Sequence, residues 1–204
     1  MKCALFFTLL VTASITVQAQ VDTFNKKYRQ TVIKPYCDYC ELPLDLETSR
    51  FIYQESRDTT ASKTDLFKKA EIIARSLCLV PEKQMVYNDS ASGKVTFKRT
   101  VELSAGNTVN GFKKMGKCTF KVSIEAKENK YRYIITDFTM DGTNRPLETY
   151  LESLRHNAKW QHQISFQIIS VIEGYYDEKG TYEEGIIDRI ITGMKTPFRS
   201  EAKW

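Results

Sequence analysis

Cys118-Thr119-Phe120-Lys121-Val122-Ser123-Ile124-Glu125-Ala126 is followed, after the turn Lys127 to Lys130, by Tyr131-Arg132-Tyr133-Ile134-Ile135-Thr136-Asp137-Phe138-Thr139-Met140. The first run alternates strictly. Cys118, Phe120, Val122, Ile124 and Ala126 fall on one side, and Thr119, Lys121, Ser123 and Glu125 on the other. Side chains alternate across a strand with period two, so this pattern predicts a half-buried strand. Two such strands joined by so short a turn pair antiparallel. The sheet therefore grows from a hairpin at the centre of the chain.

Working outward, Lys94 to Leu103 repeats the pattern, with Val95, Phe97, Val101 and Leu103 opposed to Thr96, Lys98, Thr100 and Glu102. Ser104 to Lys117 holds three glycines and reads as a loop. Upstream, Gln84 to Asn88 reads as a short strand and Asp89 to Gly93 as a turn. Ser49 to Arg57 reads as the first strand of the series. Between the two lies a helix: Ser62 and Asp65 form a capping box, and Leu66, Ala70, Ile73 and Leu77 recur at helical spacing before Pro81. Beyond Gly142 the period turns helical again. Leu147, Tyr150, Leu151 and Leu154 make one stripe, and Trp160, Ile164, Ile168, Val171, Ile172 and Tyr175 a second, although Trp160 to Ile168 also reads as a strand. Ile186, Ile187, Ile190, Ile191 and Met194 make a third. The fold class is α+β: an antiparallel sheet in the order β-α-β-β-β-β, with a helical C-terminal extension over residues 143–204.

The start of the chain gives an address. Lys2 precedes an apolar run from Ala4 to Val17, and Val17-Gln18-Ala19 supplies small residues at the positions signal peptidase reads, so residues 1–19 are expected to be a signal peptide. The run is shorter than the roughly 20 residues a spanning helix needs. Gln20 stands where a lipoprotein would carry cysteine. The mature protein is thus expected to be exported, periplasmic or secreted, not lipid-anchored and without a transmembrane span. Residues 20–47 read as an N-terminal arm with a Cys-x-x-Cys turn at Cys37 and Cys40.

The segment Thr64-Asp65-Leu66-Phe67-Lys68-Lys69-Ala70, the turn Ser92-Gly93-Lys94 and above all Lys130-Tyr131-Arg132-Tyr133-Ile134-Ile135-Thr136-Asp137-Phe138 resemble an exported bacterial family of unknown function. The domain of that family has a TATA-binding-protein-like fold, and the resemblance covers residues 48–142. It implies one helix against a curved antiparallel sheet and a Gram-negative periplasmic or surface setting. It implies no activity, because the family has none assigned. DNA binding does not follow from the fold. The outward set (Thr96, Lys98, Thr100, Glu102, Lys121, Ser123, Glu125, Arg132) is mixed in charge, the net charge is only +5, and export removes the protein from the chromosome, so no nucleic-acid partner is expected.

Chemistry-bearing residues are few. Cys37, Cys40, Cys78 and Cys118 are disulfide candidates in an oxidising compartment, Cys37–Cys40 with Cys78–Cys118 being the simplest of three pairings. The alternatives are a redox dithiol at Cys37 and Cys40, a four-cysteine zinc site, and buried free thiols at Cys78 and Cys118. A low-pKa thiolate at Cys37 is disfavoured by Asp38 and by Pro43, which leaves no helix start to stabilise it. His156 and His162, six apart, fall on different helix faces. Asp137 is the one carboxylate in an apolar setting. Tyr131, Arg132 and Tyr133, together with Phe138, form a possible ligand surface for a group such as a glycan. No nucleophile elbow, P-loop or dinucleotide fingerprint occurs. No cofactor or metal is expected. The function expected is that of a non-enzymatic envelope module binding a protein, peptide or glycan. The alternative is an unrecognised envelope enzyme, redox through Cys37 and Cys40 or hydrolytic through Asp137.

Overall fold

The structure, a computed structural model, describes residues 42–78, 87–107, 111–141, 144–177 and 179–196. Its centre is a six-stranded antiparallel sheet formed by β3 (Tyr53–Asp58), β4 (Tyr87–Asp89), β5 (Lys94–Asn107), β6 (Gly111–Lys127), β7 (Lys130–Met140) and β8 (Arg145–Pro146). The spatial order is β3-β7-β6-β5-β4, and β8 pairs with the end of β7. A small ribbon of β1 (Leu44–Asp45) and β2 (Arg50–Phe51) precedes it. Helix α1 (Lys63–Leu77) separates β3 from β4, so the expected β-α-β-β-β-β order is present.

Helix α1 starts where the sequence places it, at a reciprocal cap. Ser62 Oγ accepts the Asp65 amide at 3.2 Å and donates to the Asp65 carboxylate at 2.8 Å. The buried stripe of the helix, Leu66, Ala70, Ile73, Ala74 and Leu77, lies on β5 and β6, against Val95, Phe97, Val122 and Ile124.

Two bulges correct the plain alternation. In β7 the register moves from Thr119↔Thr139 to Lys121↔Thr136, so β7 carries one extra residue. Asp137 takes it up in the left-handed region, at φ 57°. The bulge turns Asp137 outward and returns Phe138 to the core face with Ile135 and Met140. In β5 and β6 a shift after Leu103 leaves Met115 as the extra residue.

The segment 104–117, expected to be a loop, instead prolongs β5 and β6 into a long hairpin that stays paired out to Asn107↔Gly111. The reason comes from elsewhere in the chain. Helix α3 (Ala158–Glu173) aligns Gln163 and Gln167, four apart and hence on one face, along the free side of β5. Gln167 Oε1 accepts the Ser104 amide at 3.0 Å and its Nε2 donates to the Ser104 carbonyl at 2.6 Å. Gln163 makes the same two bonds to Gly106, at 2.9 Å and 2.7 Å. Two side-chain amides thus stand in for a neighbouring strand and close an edge that would otherwise be open.

The C-terminal third is helical, as the periodicity requires: α2 (Leu147–Ser153), α3, and α4 (Ile186–Lys195). Trp160 to Ile168 is helix, not strand. These helices share the core of the sheet. Ile164, Ile168, Ile172 and Ile190 are fully buried, α3 lies on β5 and α4 on α1. Among the described residues, no helix is long and apolar enough to cross a membrane.

Candidate functional site

Most charges on the open face of the sheet are paired within it, Lys98 being an exception. Lys94 Nζ lies 3.0 Å from the Glu125 carboxylate, which also takes the Arg132 guanidinium (Nε at 3.0 Å). Burial alone would raise the Glu125 carboxyl, but these two cations outweigh it and hold it below the usual range. Lys121 pairs with Asp137 and Lys117 with Glu102. The Thr96–Ser123 and Thr100–Thr119 hydroxyls bond each other at 3.0 Å and 2.9 Å. Asp137, the carboxylate singled out as a hydrolytic candidate, is thus an exposed bulge residue in an ion pair rather than a group in an apolar pocket.

Two of the three residues expected to present a ligand surface lie on the other side. Tyr131 and Tyr133 are 3% and 4% exposed, on the face of β7 that carries Ile135. The alternation that sends Arg132 out sends its neighbours in. Tyr133 donates to Glu55 at 2.6 Å, and Arg57 also reaches Glu55, at 2.9 Å. Burial pushes the Tyr133 phenol well up, helped by that bond, and burial also raises Tyr131. What remains outside is a shallow cleft of about 240 Å³ bordered by Arg132, Tyr131, Ser56, Glu125, Lys127 and Lys130.

The expected Cys78–Cys118 bridge is absent: both are buried free thiols. Cys78 ends α1 beside Arg99 on β5. Cys118 sits on β6 between Val101 and Met140, where the nearest charges are Asp141 and Glu148. Both side chains face the core, but their surroundings differ. Cys37 and Cys40 lie outside the described residues. Burial raises the Cys78 thiol, and burial, followed by Asp141 and Glu148, pushes Cys118 up to about 12. Neither is a nucleophile at neutral pH. Aqueous thiol reagents are expected to label Cys78 and Cys118 only when the protein unfolds. A pKa raised on folding contributes stability that is intact below the unfolded value near 9 and is lost as pH climbs toward the folded one. The unfolding free energy should therefore fall above pH 9, Cys118 contributing a limiting slope of about 1.4 kcal/mol per pH unit, and Cys118→Ala should flatten it. Fast labelling of Cys118 at pH 7.5 would contradict this placement.

His156 and His162 are both exposed; His162 lies 6.4 Å from the Phe166 ring. Among the described residues, no group of three or more His, Cys, Asp or Glu side chains is placed to hold a metal ion.

The structure adds a site that the sequence reading did not mark. Between α3 and α4 the chain forms a ribbon, β9 (Gly174–Tyr176) with β10 (Tyr182–Glu184), in the register Tyr176↔Tyr182, Tyr175↔Glu183, Gly174↔Glu184. Asp177 shapes its turn by bonding the backbone ahead of it. Its Oδ1 accepts the amides of Lys179 and Thr181 at 2.9 Å and 2.7 Å, and Gly180 supplies φ +77°. The base is held by backbone contact. Gly174 has φ +87°, and a Cβ on Gly185 would lie 2.3 Å from Gly174 N and 2.5 Å from Ile172 O. The ribbon presents Tyr176, 72% exposed, against Tyr182 at 5.0 Å between ring centroids. Tyr175 meets Phe166 edge-on at 6.4 Å. Tyr182 donates to the Glu173 carbonyl at 2.9 Å and to Asp188, the bond to Asp188 being the first cause that pushes its phenol up to about 12. The signal in the sequence was the aromatic pair Tyr175-Tyr176 and the lone Tyr182 set between Gly174, Gly180 and Gly185.

Beneath the ribbon lies a cleft of about 180 Å³, walled by Leu77, Arg99, Ser170, Val171, Tyr175, Glu183, Glu184, Ile186 and Arg189. Arg99 Nη1 donates to the Leu77 carbonyl at 2.7 Å. Its Nε and the Ser170 hydroxyl are shielded from solvent and have no partner among the described residues. Burial, then Arg189, pulls the Arg99 guanidinium below its ordinary pKa, with the Cys78 thiol opposing.

An antiparallel sheet of this connectivity, with helices on one face and a paired polar face on the other, defines an α+β protein of TATA-binding-protein-like fold. Residues 53–141 match the model of the family described as a domain of unknown function (DUF4468) with TBP-like fold. The crystal structure of a TBP-like protein from Parabacteroides distasonis resembles it with a TM-score of 0.50 at 14% identity, covering 75% of this chain and 96% of that one. A DUF4468 family protein from Bacteroides ovatus does so with a TM-score of 0.52 at 8% identity, covering 79% and 94%. Both likenesses extend past residues 53–141 and concern the fold alone. No curated protein matches the chain.

Proposed function

We propose that this is an exported, non-enzymatic binding module of the bacterial envelope, periplasmic or secreted, whose contact surface is the tyrosine ribbon β9–β10. The observation that carries the reading is the clustering of exposed aromatics. Of the seven large hydrophobic side chains exposed among the described residues, four gather at the ribbon: Tyr176 and Tyr182, opposite each other in register, make a stacked patch on one face, and Tyr175 pairs with Phe166 on the other. Monomeric proteins seldom leave such a patch uncovered, and aromatic residues dominate contact surfaces. Carboxylates are dense on the ribbon and the helix ends that flank it, in a chain that is basic overall: Glu173, Asp177, Glu183, Glu184 and Asp188, with Lys179 on the turn and Arg99 and Arg189 in the cleft beneath. That chemistry favours a protein or peptide segment presenting Lys or Arg, which the tyrosine faces and carboxylates receive together. Nucleic acid does not fit so acidic a surface. The order of charge, apolar run and small residues over Met1 to Ala19 supports export, and a Cys37–Cys40 disulfide belongs to the same reading.

Titration with a Lys- and Arg-containing peptide set, against a glycan set of similar size, tests this. Binding of the cationic peptides is expected to weaken with salt and to fall at least tenfold in Tyr176→Ala. Glycan binding that is indifferent to salt would replace the partner class, and binding unaffected by Tyr176→Ala would remove the ribbon as the surface.

A further inference from the structure

The cleft beneath the ribbon holds an unusual charge arrangement. Arg99 is partly buried on β5, and its Nε, shielded from solvent, has no partner among the described residues. Its hydrogen bond to the Leu77 carbonyl meets the C-terminal turn of α1, a favourable but neutral contact that leaves most of the guanidinium donors over. Among the described residues no carboxylate lies within ion-pair distance of it, and the second guanidinium on the cleft belongs to Arg189, another cation. The Ser170 hydroxyl, also shielded, has no partner among them either. A donor shielded from water without a partner is destabilising unless something compensates it, and Arg189, exposed at the side of the cleft, adds a second positive charge near Arg99. The natural complement is an anionic group with two acceptor oxygens, which a guanidinium grips through parallel N–H bonds.

A strong polyanion is the wrong complement, because Glu183 and Glu184 line the same cleft. Two cations and two carboxylates call for a ligand carrying both charges. The apolar wall of Leu77, Val171, Ile186 and Tyr175 leaves room for a short aliphatic group within the cleft's volume of about 180 Å³. Sites for drug-sized ligands begin at roughly 300 Å³, so the occupant is smaller than that class. We propose that this cleft binds a small zwitterion of the α-amino acid type, its carboxylate held by Arg99, Arg189 and the Ser170 hydroxyl and its ammonium facing Glu183 and Glu184. This goes beyond the tyrosine surface and does not rest on it, since the ribbon meets partners with its exposed rings while the cleft lies between ribbon, α3, α4 and the end of α1.

The test is titration of the full chain with glycine, alanine and leucine, followed by thermal shift and by chemical shifts of residues 170–189, with leucinamide, N-acetylleucine and inorganic phosphate as comparison ligands. At least one amino acid is expected to bind saturably and raise Tm. Leucinamide lacks the carboxylate and N-acetylleucine the ammonium, so each should bind at least tenfold more weakly than leucine. Arg189→Ala and Ser170→Ala, checked for an unchanged circular dichroism spectrum, should each weaken binding at least tenfold. Arg99→Lys, which keeps the charge but loses the planar fork, should do the same. Failure of all three amino acids to bind overturns the proposal, as does binding that survives Arg189→Ala and Ser170→Ala. A phosphate response equal to that of the amino acids overturns it too, leaving a plain anion site. Loss of cationic-peptide binding to the ribbon leaves these readouts untouched, so the two readings fail separately.

Discussion

Phe120→Ala is expected to lower the unfolding free energy by about 3–5 kcal/mol, and Tm by on the order of 10 °C. Phe120 is 1% exposed at the middle of β6, with its ring centroid 5.2 Å from Phe138, which in turn meets Phe51 edge-on at 6.5 Å. Truncation removes buried area and also leaves a cavity, because neighbours fixed in a sheet collapse only partly into the space. The three rings join β2, β6 and β7, so the loss should appear as one cooperative transition at lower denaturant with an unchanged slope. Phe166→Ala is the control. That ring is 51% exposed. Its removal should change stability by no more than about 0.5 kcal/mol. A loss below about 1 kcal/mol for Phe120→Ala would show that the ring trio is not the packed centre of the sheet.

Most of this core is legible in the sequence because a strand with one wet face writes its burial as period two. Phe120, Val122 and Ile124 are read directly. So, in principle, is the bulge: the apolar spacing is two from Tyr131 to Ile135 and three from Ile135 to Phe138, and the extra residue is the outward-turned Asp137. The same alternation places Tyr131 and Tyr133 inside once Arg132 is placed outside, so the aromatic content of that strand reports packing and not a ligand surface. What the sequence hides depends on distant partners. Glycines at 106, 111 and 116 read as a loop because the groups that hold the strand there, Gln163 and Gln167, lie some sixty residues away on a helix. Whether Cys78 and Cys118 meet is a matter of tertiary placement that spacing does not encode. The tyrosine ribbon escapes periodicity because each of its strands has three residues, too few for a pattern between two strongly helical segments.

Gly185→Val is expected to free the ribbon from the body of the protein, at about 2–4 kcal/mol of local stability. Gly185 has an ordinary φ of −78°, so its requirement is space and not conformation. A Cβ there would press on Gly174 N at 2.3 Å and on Glu173 C and Ile172 O at 2.5 Å, all of them backbone atoms that no rotamer change moves aside. Gly180 presents the reverse case, with φ +77° and nothing within 4 Å of a Cβ. Gly180→Ala therefore carries only the left-handed cost of about 1–2 kcal/mol. Hydrogen exchange should quicken over residues 174–184 in Gly185→Val while β5, β6 and β7 keep their protection. The near-ultraviolet dichroism of the Tyr176–Tyr182 pair should weaken, and cationic-peptide and amino-acid binding should fall together, because both surfaces depend on where the ribbon sits. Quickened exchange across the whole sheet would show instead that the ribbon is part of the folding core. The separation expected here has a physical basis: the sheet is held by buried side chains from β5, β6 and β7, whereas the ribbon is held by the Gly174–Gly185 backbone contact, the Tyr182 hydroxyl and the partly exposed Tyr175–Phe166 pair. Its sequence can then vary around Gly174 and Gly185 to suit a partner while the core beneath it stays the same.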